Sequence, residues 1–382
     1  MVARLLPDDS IARHLELSGV GRREFLTFCG KLMVAAPFGL ALTSAFSVEA
    51  VAKEVGKLKR PSVIWLHMQD CTGCSETLLR HSQPDLATLI FDVISLDYHE
   101  TVMAASGHDA ELALLDAMKQ NDGKYVLVVE GSIPTKSNGD FLKLGGKKGI
   151  DVLRDVANHA AAVIAIGSCA SFGGVSSSGV NPTGAVGVET LVKNKPIVNI
   201  PGCPPNPFIL LGTVLQFAKS GTLPELDTKG RPKFAFDRTI HEHCPRRAHF
   251  DASRFAESFG DEGHRQGWCL YKLGCKGPVT HGACSTRSFN EVVDAWPIGI
   301  GAPCAGCTEE TVAFRVALHE TVPIDRPMPP ASYPTIFPVR GSFSPMATAV
   351  AGVVGGVAIG AGVMISKRIS DAEDSETPEG KE

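Results

Sequence analysis

Ser62-Val63-Ile64-Trp65-Leu66, followed shortly by Asp70-Cys71-Thr72-Gly73-Cys74-Ser75-Glu76, decides how this chain folds. The first part is apolar without alternation and rich in β-branched and aromatic residues. That pattern reads as a strand buried on both faces. Four more runs of the same kind follow, at residues 91–96, 125–129, 163–166 and 197–200, separated by polar or helix-like segments. Buried strands alternating with helices predict a doubly wound parallel α/β sheet over residues 58–235.

Cysteines fall where these strands end. Cys71 and Cys74 follow the first run, Gly167-Ser168-Cys169 the fourth, and Pro201-Gly202-Cys203-Pro204-Pro205 the fifth. Open α/β sheets bind ligands beyond the carboxyl ends of their strands. Four thiols from three distant stretches are therefore expected to converge on one edge, a set that suits a 4Fe–4S cubane. Gly73, Gly167 and Gly202 would let backbone approach it closely. A lone C-x-x-C also fits a thioredoxin-like redox pair, but Cys169 and Cys203 at equivalent strand ends count against that. A nucleotide at this edge would need a G-x-G-x-x-G or a P-loop, and neither occurs.

The second half, residues 236–320, has few strand-like runs and six cysteines. They form two groups: His241-x-x-Cys244 with Cys269 and Cys275, then Cys284 with Cys304-x-x-Cys307. Zinc competes for the first group, since three Cys and one His are a normal zinc set. Its ligands usually come as two close pairs, and only His241 and Cys244 are close here. Three thiols without an obvious fourth ligand suit a 3Fe–4S cluster. His243, His249, His264 and His281 receive no role, because a lone His is more often structural.

Composition agrees with a metalloprotein. The chain has 382 residues, 44% hydrophobic and 20% charged, with net charge −4. That is globular, with no basic surface for nucleic acid. Its eleven cysteines are an odd number in a long chain, unlike a disulfide framework.

Both ends read as address rather than fold. Arg22-Arg23 precede an apolar stretch at 32–46 and a small-residue site, Ala50-Val51-Ala52, so residues 1–52 read as a cleaved twin-arginine signal. This implies the twin-arginine export machinery as a partner. Cys29 lies within the signal, which leaves ten cysteines after cleavage. A Pro-rich linker (321–345) leads to an uncharged stretch at 346–366, long enough as a helix to span roughly 30 Å of hydrocarbon. Gly356 and Gly360 offer a packing face to another helix. Lys367-Arg368 follow, placing the acidic tail (367–382) in the cytoplasm and the body outside.

Taken together, the motifs resemble those of nickel–iron hydrogenase small subunits: Cys71-Thr-Gly-Cys74-Ser-Glu76, Gly167-Ser-Cys169-Ala-Ser-Phe-Gly-Gly174, Asn181-Pro-Thr-Gly-Ala185, Pro201-Gly-Cys-Pro-Pro-Asn-Pro207, His241-x-x-Cys244, Gly267-Trp-Cys269 and Pro303-Cys304-Ala-Gly-Cys307. The likeness covers nearly the whole chain and is greatest to membrane-bound, periplasm-facing uptake enzymes of the hydrogenase-2 type. It implies a flavodoxin-like sheet followed by a mostly irregular or helical iron–sulfur domain and one C-terminal transmembrane helix. It implies a proximal 4Fe–4S cluster on Cys71, Cys74, Cys169 and Cys203. A medial 3Fe–4S cluster would lie on Cys284, Cys304 and Cys307, with Pro297 where a fourth cysteine could stand. A distal 4Fe–4S cluster would lie on His241, Cys244, Cys269 and Cys275, with the histidine near the surface where electrons leave. The Ni–Fe centre would sit in a separate large subunit, and the electron acceptor would be a membrane cytochrome b or another quinone-reducing subunit. Oxygen-tolerant members add two cysteines around the proximal cluster; here Gly73 and Gly174 stand at those positions, which implies an oxygen-sensitive enzyme. Glu76 reads either as a helix-start acid or as a proton exit from the large subunit. Rival readings are the cluster-bearing subunit of the quinone-reducing NADH complex, an exported zinc protein and a cytoplasmic H₂ sensor. The first shares only the proximal set, and the export signal and anchor count against the last.

Overall fold

The continuous apolar runs become the centre of a five-stranded sheet. The computed structural model describes residues 60–81, 86–289, 292–324 and 327–330. The strands are β1 (Ser62–His67), β2 (Ser95–His99), β3 (Val126–Glu130), β4 (Ala162–Ile166) and β5 (Ile197–Ile200). All neighbours pair in parallel, in the spatial order β2-β1-β3-β4-β5. This is the flavodoxin-like order, with its switch point between β1 and β3. Helices return the chain between strands: α1 (Gly73–Leu79), α2 (Gly107–Gln120), α3 (Gly149–His159) and α4 (Gly167–Phe172). A last one, α5 (Pro207–Ser220), follows β5.

Strand side chains alternate between two cores. Val63, Trp65, Val126, Val128, Ile164 and Ile166 pack with Leu78 of α1 and Phe208, Leu211 and Val214 of α5. Ile64, Leu66, Leu127, Val129, Val163 and Ala165 pack with Leu114 of α2 and Leu153, Val156 and Ala157 of α3. Coverage on both faces explains why the central strands show no polar alternation.

One strand lies elsewhere than expected. Residues 89–93 form a π-helical turn (Leu89–Val93), and the strand occupies Ser95–His99 rather than 91–96. A short apolar run is ambiguous between helix and strand. Here Leu89 and Val93, four apart, share the core beside Leu78. β2 is an edge strand and tolerates Asp97, which accepts from Ser95 Oγ (2.6 Å) and Asn121 Nδ2 (3.2 Å).

Beyond residue 236 the chain makes short helical turns and no regular strand among the described residues. Its core is small: Ile240, Ala256, Leu270, Leu273, Trp296 and Ile298 pack around the thiols of Cys244, Cys275 and Cys304. This segment is tied to the sheet by polar contacts. The buried Glu309 accepts from Arg231 (2.9 Å), Lys229 (2.5 Å) and the amide and ring of His281 (3.0 and 2.8 Å). Asn206 Nδ2 donates to the Arg287 carbonyl (3.0 Å), and the Arg287 guanidinium lies 4.6 Å from the centre of the Phe208 ring. Among the described residues no helix is long and apolar enough to cross a membrane. The expected signal (1–52), most of the linker, the span at 346–366 and the tail lie outside the described residues.

Candidate metal centres

All ten described cysteines are free thiols. They fall into three adjacent groups, and each group is assembled by a different local device.

The first sits at the carboxyl edge of the sheet. Cys71 ends the loop after β1, Cys74 lies in the first turn of α1, Cys169 lies in α4 and Cys203 follows β5. Thr72 enters α1 with left-handed backbone (φ 61°), which turns the two-thiol segment sharply back. The glycines here are obligatory for space. A Cβ on Gly167 (φ 85°) would come 2.6 Å from Cys74 Sγ, and one on Gly174 (φ 49°) 2.7 Å from Cys169 Sγ. Real Cβ atoms do not approach so closely, and positive φ strains any other residue.

A residue outside every motif quoted above holds this turn. Glu130 ends β3 and is 1% exposed. Its carboxylate accepts from the Cys74 amide (2.9 Å), the Ser75 amide (3.2 Å), the Ser75 hydroxyl and Trp65 Nε1 (3.1 Å). An acidic residue closing an otherwise apolar strand is the signal in the sequence that could have found it. Glu76, in contrast, faces solvent and pairs with Arg80 (2.6 Å).

The second group is Cys284, Cys304 and Cys307. With Cys203 they line a cavity of about 420 Å³ whose other walls include Ile209, Phe236, Trp296 and Pro297. Cys203 therefore borders both the first group and this cavity. Ser168 reinforces the junction: its hydroxyl donates to the Cys307 carbonyl and accepts from the Gly202 amide (3.0 Å).

The third group is His241, Cys244, Cys269 and Cys275, gathered around one narrow pocket with Arg246, Leu270 and Ile298. A capping box between Thr239 and Glu242 opens the turn that carries His241. The imidazole is buried edge-on against Phe250, with 4.5 Å between centres. Among the described residues its buried Nε2 has no hydrogen-bond partner. Burial first, and Arg247 second, push its pKa down to about 4, which keeps the ring neutral. A neutral, buried, unsatisfied imidazole among thiols fits a ligand.

The thiols share one electrostatic problem. Burial pushes Cys203, Cys244, Cys269 and Cys284 up to about 12. Cys74 is likewise raised well above its ordinary value, by burial first and then by Glu130, Cys169, Cys203 and Cys71. Ionised together, these sulfurs would repel one another in a poor solvent; bound cations remove that penalty and release the protons. Spacing bears on which cations. A single tetrahedral zinc with Zn–S near 2.3 Å needs sulfurs about 3.8 Å apart. Among the described residues, no three cysteine or histidine ligand atoms of these groups lie within 4.8 Å of one another. The one trio that does, His67, Asp70 and Glu130, is already hydrogen-bonded, His67 to Asp70 (2.6 Å) and Glu130 to the donors above.

Comparisons with known proteins agree with this arrangement. Residues 71–217 match the family described as NADH ubiquinone oxidoreductase, 20 Kd subunit. Residues 236–319 match the family for the C-terminal part of the NiFe/NiFeSe hydrogenase small subunit. The first match is shared with the rival complex; the second belongs to hydrogenases. The hydrogenase-2 small chain of Escherichia coli K12 is 46% identical over 92% of this chain and 93% of its own. The quinone-reactive Ni/Fe-hydrogenase small chain of Wolinella succinogenes is 47% identical over 77% of this chain and 82% of its own. A crystal structure of the reduced, active Ni-Fe-Se hydrogenase from Desulfomicrobium baculatum superposes with TM-score 0.62 at 36% identity, covering 66% of this chain and 95% of that one. With the sheet order, the three thiol groups and these relatives in agreement, the chain belongs to the small-subunit family of nickel–iron hydrogenases, which carries iron–sulfur clusters and transfers electrons for the active site in the large subunit.

Proposed function

We propose that this chain passes electrons from H₂ oxidation in its large subunit, one at a time, through three iron–sulfur clusters to a quinone-reducing partner in the membrane. Cys71, Cys74, Cys169 and Cys203 would hold a proximal 4Fe–4S cluster. Cys284, Cys304 and Cys307, beside Pro297, would hold a medial 3Fe–4S cluster, and His241, Cys244, Cys269 and Cys275 a distal 4Fe–4S cluster. The observation that carries this reading is that successive thiol sets adjoin one another. Cys203 of the proximal set lines the cavity of the medial thiols, and the Cys304 amide donates to the Cys275 sulfur at 3.4 Å.

Other features support the same order. The exposed cysteines are Cys71 and Cys203, both in the proximal set, where a large subunit would cover them. Ligand atoms spaced too widely for one ion favour clusters over zinc. Bound here, the clusters supply one-electron carriers whose potentials respond to ligand type, hydrogen bonds and burial. The chain's own work is to hold them: Glu130 anchors the proximal turn, Gly167 and Gly174 leave room, and His241 offers a neutral nitrogen.

The ends complete the proposal. Residues 1–52 would direct folded export, 58–235 and 236–320 would form the two cluster-bearing domains, and 346–366 would anchor the body on the periplasmic face with the tail in the cytoplasm. The quinone-reactive relative supports a membrane partner. The test is metal and sulfide analysis of the purified heterodimer. About eleven irons are expected, from two four-iron clusters and one three-iron cluster, with an oxidised 3Fe–4S signal in electron paramagnetic resonance (EPR). Stoichiometric zinc without acid-labile sulfide would reject it. Truncation after residue 345 should release the heterodimer from membranes; continued membrane attachment would reject the anchor.

A further inference from the structure

The described residues include one fully buried cation that the electron relay, as proposed, does not use. Lys276 is 0% exposed. It follows the distal cysteine Cys275, and its amide donates to the carbonyl of the medial Cys304 (2.9 Å). Its stem packs against Gly306, between Cys304 and Cys307: a Cβ there would lie 3.2 Å from the Lys276 Cδ. The side chain therefore lies at the junction of the medial and distal sets.

Its nitrogen is dressed as an ammonium. Nζ donates to the carbonyls of Ala317 (2.8 Å), Leu318 (3.0 Å) and Gly274 (3.4 Å). Three acceptors match the three donors of the charged form, whereas a neutral amine has two. Among the described residues Nζ makes no ion pair with a carboxylate; the ionisable groups that act on it are the thiols of Cys304 and Cys275 and the exposed Glu320. Burying an ammonium without a counter-charge is strongly unfavourable. The counter-charge available at this place is that of thiolate-ligated clusters.

We infer that Lys276 is a positioning residue for electron transfer: a fixed buried positive charge that raises the reduction potentials of the medial and distal clusters relative to the proximal one. This rests on the three-cluster reading above. A nearby cation stabilises the reduced, more negative form of each cluster, so electrons leaving the proximal site are drawn onward. The interaction is little screened because the site is closed to water.

The experiment is an EPR-monitored redox titration of the intact heterodimer carrying K276M, K276Q or K276R. In the neutral variants the reduced-to-oxidised ratio of the medial cluster at a fixed ambient potential should fall about tenfold, a 59 mV downward shift for one electron. The distal cluster should shift the same way, the proximal cluster should stay in place, and K276R should restore the wild-type values. Unchanged medial and distal potentials in a cluster-replete neutral variant overturn the inference, as does an equal shift of all three. If the neutral variants fail to retain clusters, K276R decides: retention with near wild-type potentials supports a required charge, and failure of K276R as well overturns it. Wild-type protein lacking about eleven irons or the 3Fe–4S signal would instead reject the cluster reading itself, so the two failures are distinguishable.

Discussion

The amide of Cys304 points at the sulfur of Cys275 across 3.4 Å, so residues 29 apart in sequence and in two different thiol sets share one hydrogen bond. An amide aimed at a sulfur stabilises its anionic, metal-bound form. It also makes the two sets mechanically dependent on each other.

That dependence predicts the behaviour of C275S. Losing the thiolate should remove the distal cluster, about four of roughly eleven irons, and should also perturb the medial signal while leaving the proximal one. Iron analysis with EPR checks this; a variant that keeps full iron content contradicts it.

Glu130 makes a second prediction. E130A strands the amides of Cys74 and Ser75 and the indole of Trp65 in a buried place. Unsatisfied buried donors cost about 1–3 kcal/mol each, partly relieved by water. The variant should lose about 2–4 kcal/mol of stability and bind the proximal cluster incompletely. Denaturant melts and iron analysis test this, and a melt like wild type would contradict it.

Gly167→Ala should be as damaging as loss of a ligand. The added Cβ would sit 2.6 Å from Cys74 Sγ at φ 85°. Left-handed backbone costs about 1–2 kcal/mol for a non-glycine residue, and the sulfur must move besides. Expected is loss of the proximal signal with the medial and distal signals retained.

Glu309 links the iron–sulfur segment to the sheet, and its contribution depends on pH. Burial alone would push its carboxyl up, but hydrogen bonds from His281, Lys229 and Arg231 outweigh burial and hold it well below the ordinary 4.5. A depressed folded value means the stabilisation is complete above pH 4.5 and is lost progressively as pH falls below it. E309Q should cost about 3 kcal/mol at neutral pH, the scale of breaking a buried pair. The gap from wild type should shrink in acid, as read from urea melts across pH; a constant gap would refute the assignment.

On the proposed cluster reading, Gly73 and Gly174 leave the proximal site with four thiols and predict an oxygen-sensitive enzyme. H₂ oxidation should decay in air and recover under reducing conditions. Sustained aerobic turnover would contradict a standard proximal cubane.

Much of this molecule is written locally. Residues 62–66, 125–129, 163–166 and 197–200 form the central strands because a run apolar on both sides has no stable place except a sheet covered on both faces. The cysteines after them follow, since strand ends in a parallel sheet share one edge. Residues 91–96 misled because four-residue apolar spacing serves a helical turn as well as a strand, and packing against Leu78 chose the turn.

What the sequence by itself determined is the sheet, the edge on which it works and the residue types that meet metal. Only the tertiary structure decided that Cys203 belongs to two neighbourhoods, that Glu130 holds the proximal turn and that Lys276 lies buried between two thiol sets. The reason is physical. Strand formation and cysteine chemistry depend on near neighbours in the chain, whereas the worth of a buried charge or an amide–sulfur bond depends on what distant segments bring alongside and on how much water they exclude.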